Sequence, residues 1–108
     1  MEGSNHLRLP RTVIHCPVEI RSGERRIYLE HAEGNLSLGG MFLRVAGLPP
    51  KAALHLTISA EHSVEVDGVI RRNDLEGVGI EFVSISQDLR QKICEVIAEF
   101  TPREILPV

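Results

Sequence analysis

Two arginines and one short polar stretch carry the residues best equipped for chemistry. Arg8 and Arg11 stand in the basic segment His6-Leu7-Arg8-Leu9-Pro10-Arg11. A guanidinium is always charged and offers a planar fork to anions. A small anionic ligand held by local arginines is one reading of the pair. A solvated basic arm ahead of the first strand is the other. Further along, Gly34-Asn35-Leu36-Ser37-Leu38-Gly39-Gly40 gathers turn residues with amide and hydroxyl side chains. Asn35 and Ser37 can bond their own backbone and shape a turn. Gly39 and Gly40 permit positive φ and let another molecule approach bare main chain. A polar loop fixed to a strand is a common way to present a binding site. A tight glycine-rich connection with no ligand accounts for these residues equally well.

Other chemistries find less support. There is no G-x-S-x-G elbow, and Ser37 has no suitably spaced histidine downstream, so no nucleophile stands with an arranged base. Acidic residues fall mostly at outward strand positions, as solvated carboxylates do. Gly77-Val78-Gly79 lacks the third glycine and the following helix of a dinucleotide fingerprint. Those glycines suit a turn and close packing at the start of the last strand. His6, His15, His31, His55 and His62 show no paired ligand spacing, so no metal site is expected. Cys16 and Cys94 are far apart and form no C-x-x-C; they read as buried thiols in a reducing compartment.

Bulk properties narrow the partners. A chain of 108 residues is one domain, and 43% hydrophobic with 25% charged residues is ordinary for a soluble globular fold. The net charge of −3 gives no global field for polyanions, and the absence of Trp leaves few stacking platforms. A nucleic-acid polymer is therefore not an expected partner. No long apolar run and no signal-peptide core are present, so membrane insertion is not expected and the location reads as cytoplasmic.

The elements that must position these residues follow from periodicity. Leu9 precedes Pro10 and is pushed toward extended or turn geometry. Ile14, Cys16, Val18 and Ile20 then alternate with polar partners, and Pro17 marks an edge or bulge. Ser22-Gly23 turns the chain, and Ile27 and Leu29 continue the inner face. The loop at residues 34–40 leads into a strand over Met41–Val45. Gly47-Leu48-Pro49-Pro50 breaks the pattern. Leu54, Leu56 and Ile58 form the next run, then Val64, Val66 and Ile70 after a turn at Ala60 and Glu61. Asn73-Asp74 turns again before Val78, Ile80 and Phe82. Period two, repeated six times with short turns, predicts an antiparallel sheet closing into a barrel or sandwich. From Ser86 the period becomes helical, through Leu89, Ile93, Val96, Ile97 and Phe100. Ser86 is the expected N-cap, with Asp88 in the first turn and Pro102 marking the end.

In this order, the arginine arm, the loop and the strand pattern resemble a PilZ domain, the family of bacterial cyclic di-GMP receptors. Asn35-Leu36-Ser37-Leu38-Gly39-Gly40 fits the family's [D/N]-x-S-x-x-G motif at all three positions. The strand Met41-Phe42-Leu43, the run Gly68-Val69-Ile70-Arg71 and the ending Gly77-Val78-Gly79-Ile80-Glu81-Phe82 are also typical. The family's R-x-x-x-R motif is matched with a departure. Arg8-Leu9-Pro10-Arg11 has a three-residue spacing, and Leu7 stands where the first arginine is expected. Residues three apart on an extended chain point oppositely. Arg8 and Arg11 therefore meet one ligand if Leu9-Pro10 bends the arm, and Pro10 suits such a turn.

The resemblance implies a mainly all-β fold: a six-stranded antiparallel barrel with a C-terminal helix. It implies a flexible N-terminus over residues 1–6, one domain over residues 7–101 and a tail over residues 102–108. It implies no catalysis and no cofactor, with cyclic di-GMP as ligand at Arg8, Arg11, Asn35, Ser37 and Gly40. The arginines would pair phosphates or the O6 and N7 acceptors of guanine. Asn35 and Ser37 would bond a guanine edge or a phosphate, and Gly40 would leave room for the base. Arg44 is a weaker candidate for a phosphate, and Arg71-Arg72 reads as an exposed strand end. The expected role is to report second-messenger level to an effector protein, in motility, biofilm or polysaccharide control. The alternative is a PilZ adaptor that does not bind the nucleotide and acts through protein contacts. The effector and the oligomeric state are not legible in the sequence.

Overall fold

The computed structural model describes residues 11–102 of the chain. The expectations for Arg8, for the bend at Leu9-Pro10, for the loose residues 1–6 and for residues 103–108 lie outside that range. Six strands and one helix follow in order: β1 (Thr12–Ser22), β2 (Arg25–Leu36), β3 (Gly40–Leu43), β4 (Ala53–Ser59), β5 (Ser63–Asp74), β6 (Gly77–Val83) and α1 (Gln87–Phe100). All pairings are antiparallel and close a barrel in the order β1-β2-β3-β6-β5-β4, with β4 returning to β1.

Alternation sets the interior. Ile14, Val18 and Ile20 of β1, Leu54, Leu56 and Ile58 of β4, Val64, Val66 and Ile70 of β5, and Val78 and Ile80 of β6 all point inward and are buried. No polar or charged residue is buried among the described residues. Pro17 sits in a register shift between Cys16 and Val18, as its missing N–H requires. Gly23, at φ +62°, turns β1 into β2. Cys16 is buried, whereas Cys94 is exposed on α1. The expectation that both thiols are buried therefore fails for Cys94, whose helix position faces away from the barrel.

Three strand limits differ from those the pattern predicts. β2 runs on through Gly34, Asn35 and Leu36, which pair with Leu43, Phe42 and Met41. The loop is thus confined to residues 37–39. β3 ends at Leu43 rather than Val45. β5 continues through Asn73 and Asp74, so the turn falls on Leu75 and Glu76.

The helix closes one mouth of the barrel. Its N-cap is Ser86, whose hydroxyl accepts from the Leu89 amide at 3.1 Å. Ile93 and Val96 are fully buried, and α1 lies against β1 and β5. Two further ties fix its far end. Glu99 accepts the Glu61 and His62 amides at 2.9 and 2.6 Å and the His62 ring. Thr101 meets Thr12 through their hydroxyls at 3.4 Å. Full burial of an aliphatic side chain is worth about 1.5–3 kcal/mol. Ile93 and Val96 therefore supply the attachment, while Glu99 sets where the helix end lies. By register, this is the mouth at which β1 begins and the β2–β3 and β4–β5 turns sit.

Candidate functional site

The β2–β3 turn and its neighbours build a hollow on the outer face of the sheet. Two rows of residues cross this face. One row runs Val13, Asn35, Phe42, Gly79, Arg72 through successive strand pairs. The next, nearer the helix end, runs Ser37, Gly40, Glu81, Val69. Gly79 and Gly40 leave a gap in each row. The result is a depression of about 300 Å³ with main chain as its floor. Phe42 walls one end, Arg11 and Ser37 stand on the turn side, and Arg71, Arg72 and Glu81 stand opposite.

Ser37 holds the turn together. Its amide donates to the Gly40 carbonyl at 2.9 Å. Its hydroxyl donates to the same carbonyl at 3.3 Å and accepts from the Gly39 amide at 3.3 Å. A hydroxyl oxygen has two lone pairs, so one remains for a ligand. Asn35 lies on β2, one row removed, and its Oδ1 accepts from Arg11 Nη1 at 3.1 Å. That bond ties the described end of the arm to the loop motif across 24 residues of sequence.

Of the five site residues expected from sequence, Arg11, Ser37 and Gly40 line the hollow together. Asn35 joins them through Arg11. Arg8 lies outside the described residues. Arg44 lines a separate groove of about 420 Å³ with His15, Glu33 and Asn35, on the other side of Phe42. Neither Gly39 nor Gly40 uses positive φ; among the described glycines that conformation belongs to Gly23, Gly47 and Gly77. Gly40 has a packing reason instead. A Cβ there would stand 2.2 Å from the Ile80 carbonyl oxygen on β6. The close approach of β3 and β6 demands glycine whether or not a ligand is present.

Arg71 and Arg72 are the lining residues that sequence reasoning left on an exposed strand end. The register of β5 against β6 shifts between Ile70 and Arg72. A bulge sets two residues against one and breaks the alternation. Arg71 Nε donates to Glu81 Oε1 at 2.6 Å, and Arg72 Nη2 to Asp74 Oδ2 at 3.1 Å. The Asp74 carboxyl is held below its ordinary range, first by the Glu76 amide and then by Arg72.

Electrostatics distinguish this hollow from the other depressions. Three arginines and one glutamate line it, in a chain whose net charge is −3. A larger depression of about 430 Å³, between Arg21, His55 and Asp67, has its histidine already engaged. His55 Nδ1 meets Asp67 at 2.8 Å and Nε2 meets Glu65 at 2.9 Å, and these bonds raise its pKa. No group of His, Cys, Asp and Glu suited to a metal ion occurs among the described residues.

The chain matches the PilZ domain family over residues 5–99. That span takes in the arm, the loop motif, all six strands and nearly all of the helix. The chain belongs to the PilZ domain family. PilZ domains are cyclic di-GMP receptor and adaptor domains rather than enzymes. The fold is also similar to the crystal structure of the PilZ domain of CeSA from a cellulose-synthesizing bacterium. The two superpose with a TM-score of 0.67 at 13% identity, covering 83% of this chain and 96% of that one. No curated protein sequence matches the chain. No helix among the described residues is long and apolar enough to cross a membrane.

Proposed function

We propose that this PilZ domain binds cyclic di-GMP in the hollow beside the β2–β3 turn and passes the signal to an effector protein. One observation supports this most: Arg11, Ser37 and Gly40, separated in sequence, line one depression whose remaining cations are Arg71 and Arg72. A ligand with two phosphates and two guanines matches that chemistry. Guanidinium forks pair phosphate oxygens and the Hoogsteen edge of guanine, and the planes stack on bases. Ligand pockets span roughly 300–1,000 Å³. At about 300 Å³ this hollow encloses part of a dinucleotide. Arg8 is the further guanidinium that the family motif supplies for the same ligand.

Calorimetric titration of the full chain with cyclic di-GMP tests the reading. Saturable heat is the expected result. Each charge-assisted hydrogen bond contributes about 1.5–3 kcal/mol, so Arg11→Ala should weaken binding roughly 10- to 100-fold. Ser37→Ala should also weaken it, through the turn. Leu7→Arg should tighten it by supplying the arginine that the family spacing expects. Absence of heat at high ligand concentration favours an adaptor acting through protein contacts alone.

A further inference from the structure

We infer that Arg71 and Arg72 form a second anion-binding wall, which takes one phosphate of the cyclic dinucleotide while Arg11 serves the other. The inference rests on the binding reading above and assigns two further residues to that site.

In regular alternation one of two consecutive residues points into the barrel. Between Ile70 and Arg72 the register shifts, and both arginines line the same hollow. Each guanidinium is held by its own carboxylate, Arg71 by Glu81 and Arg72 by Asp74, so an anion between the two arginines competes with those pairs. Their present partners are easily exchanged. Arg71 and Arg72 side chains are 62% and 74% exposed, and exposed ion pairs contribute little. A phosphate accepting two charge-assisted bonds competes readily with either.

The floor is shaped for the same purpose. Gly79 lies opposite Arg72. A Cβ there would be 3.3 Å from Arg72 Cβ and 3.9 Å from its Cδ. The Arg72 stem therefore lies along bare main chain and its head is free to turn over the hollow. Asp74, its present partner, is fixed in the β5–β6 turn by the Glu76 amide at 2.9 Å and stands outside the lining. Arg72 exchanges a partner beyond the rim for one within it. Glu81 remains beside Arg71 and keeps the wall from being uniformly cationic, so a ligand with separated charges is preferred over a compact polyanion.

Titration of cyclic di-GMP into the wild-type chain, Arg71→Gln, Arg72→Gln, the double variant and Arg21→Gln tests the assignment. Arg21 is an arginine on the distant depression near His55 and reports the effect of net charge alone. The expected result is roughly tenfold weaker binding for each single variant, roughly 100-fold for the pair, and less than a twofold change for Arg21→Gln. Melting temperatures should stay within about 2 °C, since only exposed ion pairs are lost. A double variant within twofold of the wild type overturns this assignment and leaves cyclic di-GMP binding intact. An equal loss for Arg21→Gln also overturns it, as a net-charge effect. A wild-type chain that does not bind overturns the binding reading and this assignment together.

Discussion

Gly40→Ala separates the two reasons for which a glycine could stand in the loop motif. An added Cβ lies 2.2 Å from the Ile80 oxygen, 3.3 Å from its carbon and 3.4 Å from the Glu81 Cα. Ordinary contacts for such atoms begin above ~3.4 Å, so the overlap is more than an ångström. The obstacle is main chain. Ile80 is paired to Ile70 on its other side, so β6 cannot retreat without opening β5–β6. β3 has four residues and little pairing to lose before it detaches. Overpacking costs about 1–3 kcal/mol, and a backbone obstacle places Gly40→Ala in the upper half of that range. At ~4–8 °C per kcal/mol for a domain near this size, melting should fall by roughly 10–20 °C without any ligand. Gly79→Ala is the internal comparison. Its methyl meets the flexible Arg72 stem at 3.3 Å, so melting should change by no more than ~3 °C while affinity for cyclic di-GMP falls. Thermal unfolding followed by circular dichroism reads both. A Gly40→Ala melting temperature equal to the wild type's would refute the packing argument and return Gly40 to a purely ligand-facing role.

Two further outcomes follow from the helix. His62 has its pKa raised above 6.5, chiefly by its bond to Glu99; its contribution is complete below pH 6.5 and is lost as pH rises through the raised value. Burial works against the Glu99 carboxylate, yet the His62 ring and the amides of His62 and Glu61 together lower its pKa below 4.5; its contribution is complete above pH 4.5 and is lost as pH falls through the lowered value. The melting advantage of the wild type over His62→Gln should thus be greatest between pH 4.5 and 6.5 and shrink on both sides; an advantage that grows toward pH 9 contradicts the assignment. For the thiols, a disulfide-exchange reagent should label Cys94 quickly in the native chain and Cys16 only on unfolding. Burial, followed by the Glu99 charge, raises the Cys16 pKa. Fast labelling of both thiols would contradict the burial of Cys16.

The barrel was legible because its signals are local and repetitive. Alternation through Ile14–Ile20, Leu54–Ile58 and Val78–Phe82 states which side faces inward, and the change of period at Ser86 announces the helix. The Pro17 bulge could be read because proline lacks the donor. The bulge at Arg71 could not, since nothing in Ile70-Arg71-Arg72-Asn73 forbids regular pairing; the shift arises from how β5 meets β6. The placement of Arg71 and Arg72 in the lining is therefore not legible in the sequence. Strand limits slipped for a related reason. Gly34 and Asn35 are poor strand formers by type, yet β2 retains them because Gly34 sits where a Cβ would meet the Phe42 carbonyl oxygen at 1.8 Å. Pairing with β3 overrides propensity there. Glu99 reads as one more solvated carboxylate until the β4–β5 turn is brought to its side chain.

On the proposed reading, cyclic di-GMP sits in one hollow bounded by Arg11, Ser37, Arg71, Arg72 and Gly79. An amide chemical-shift map of the isotope-labelled full chain, recorded as cyclic di-GMP is added, tests it most directly. The predicted result is saturable shifts at residue 11, residues 37–40, residues 71–72 and residue 79, with His55 and Asp67 unmoved. A spectrum unchanged at saturating nucleotide, or shifts gathered around Arg21, His55 and Asp67, would contradict it.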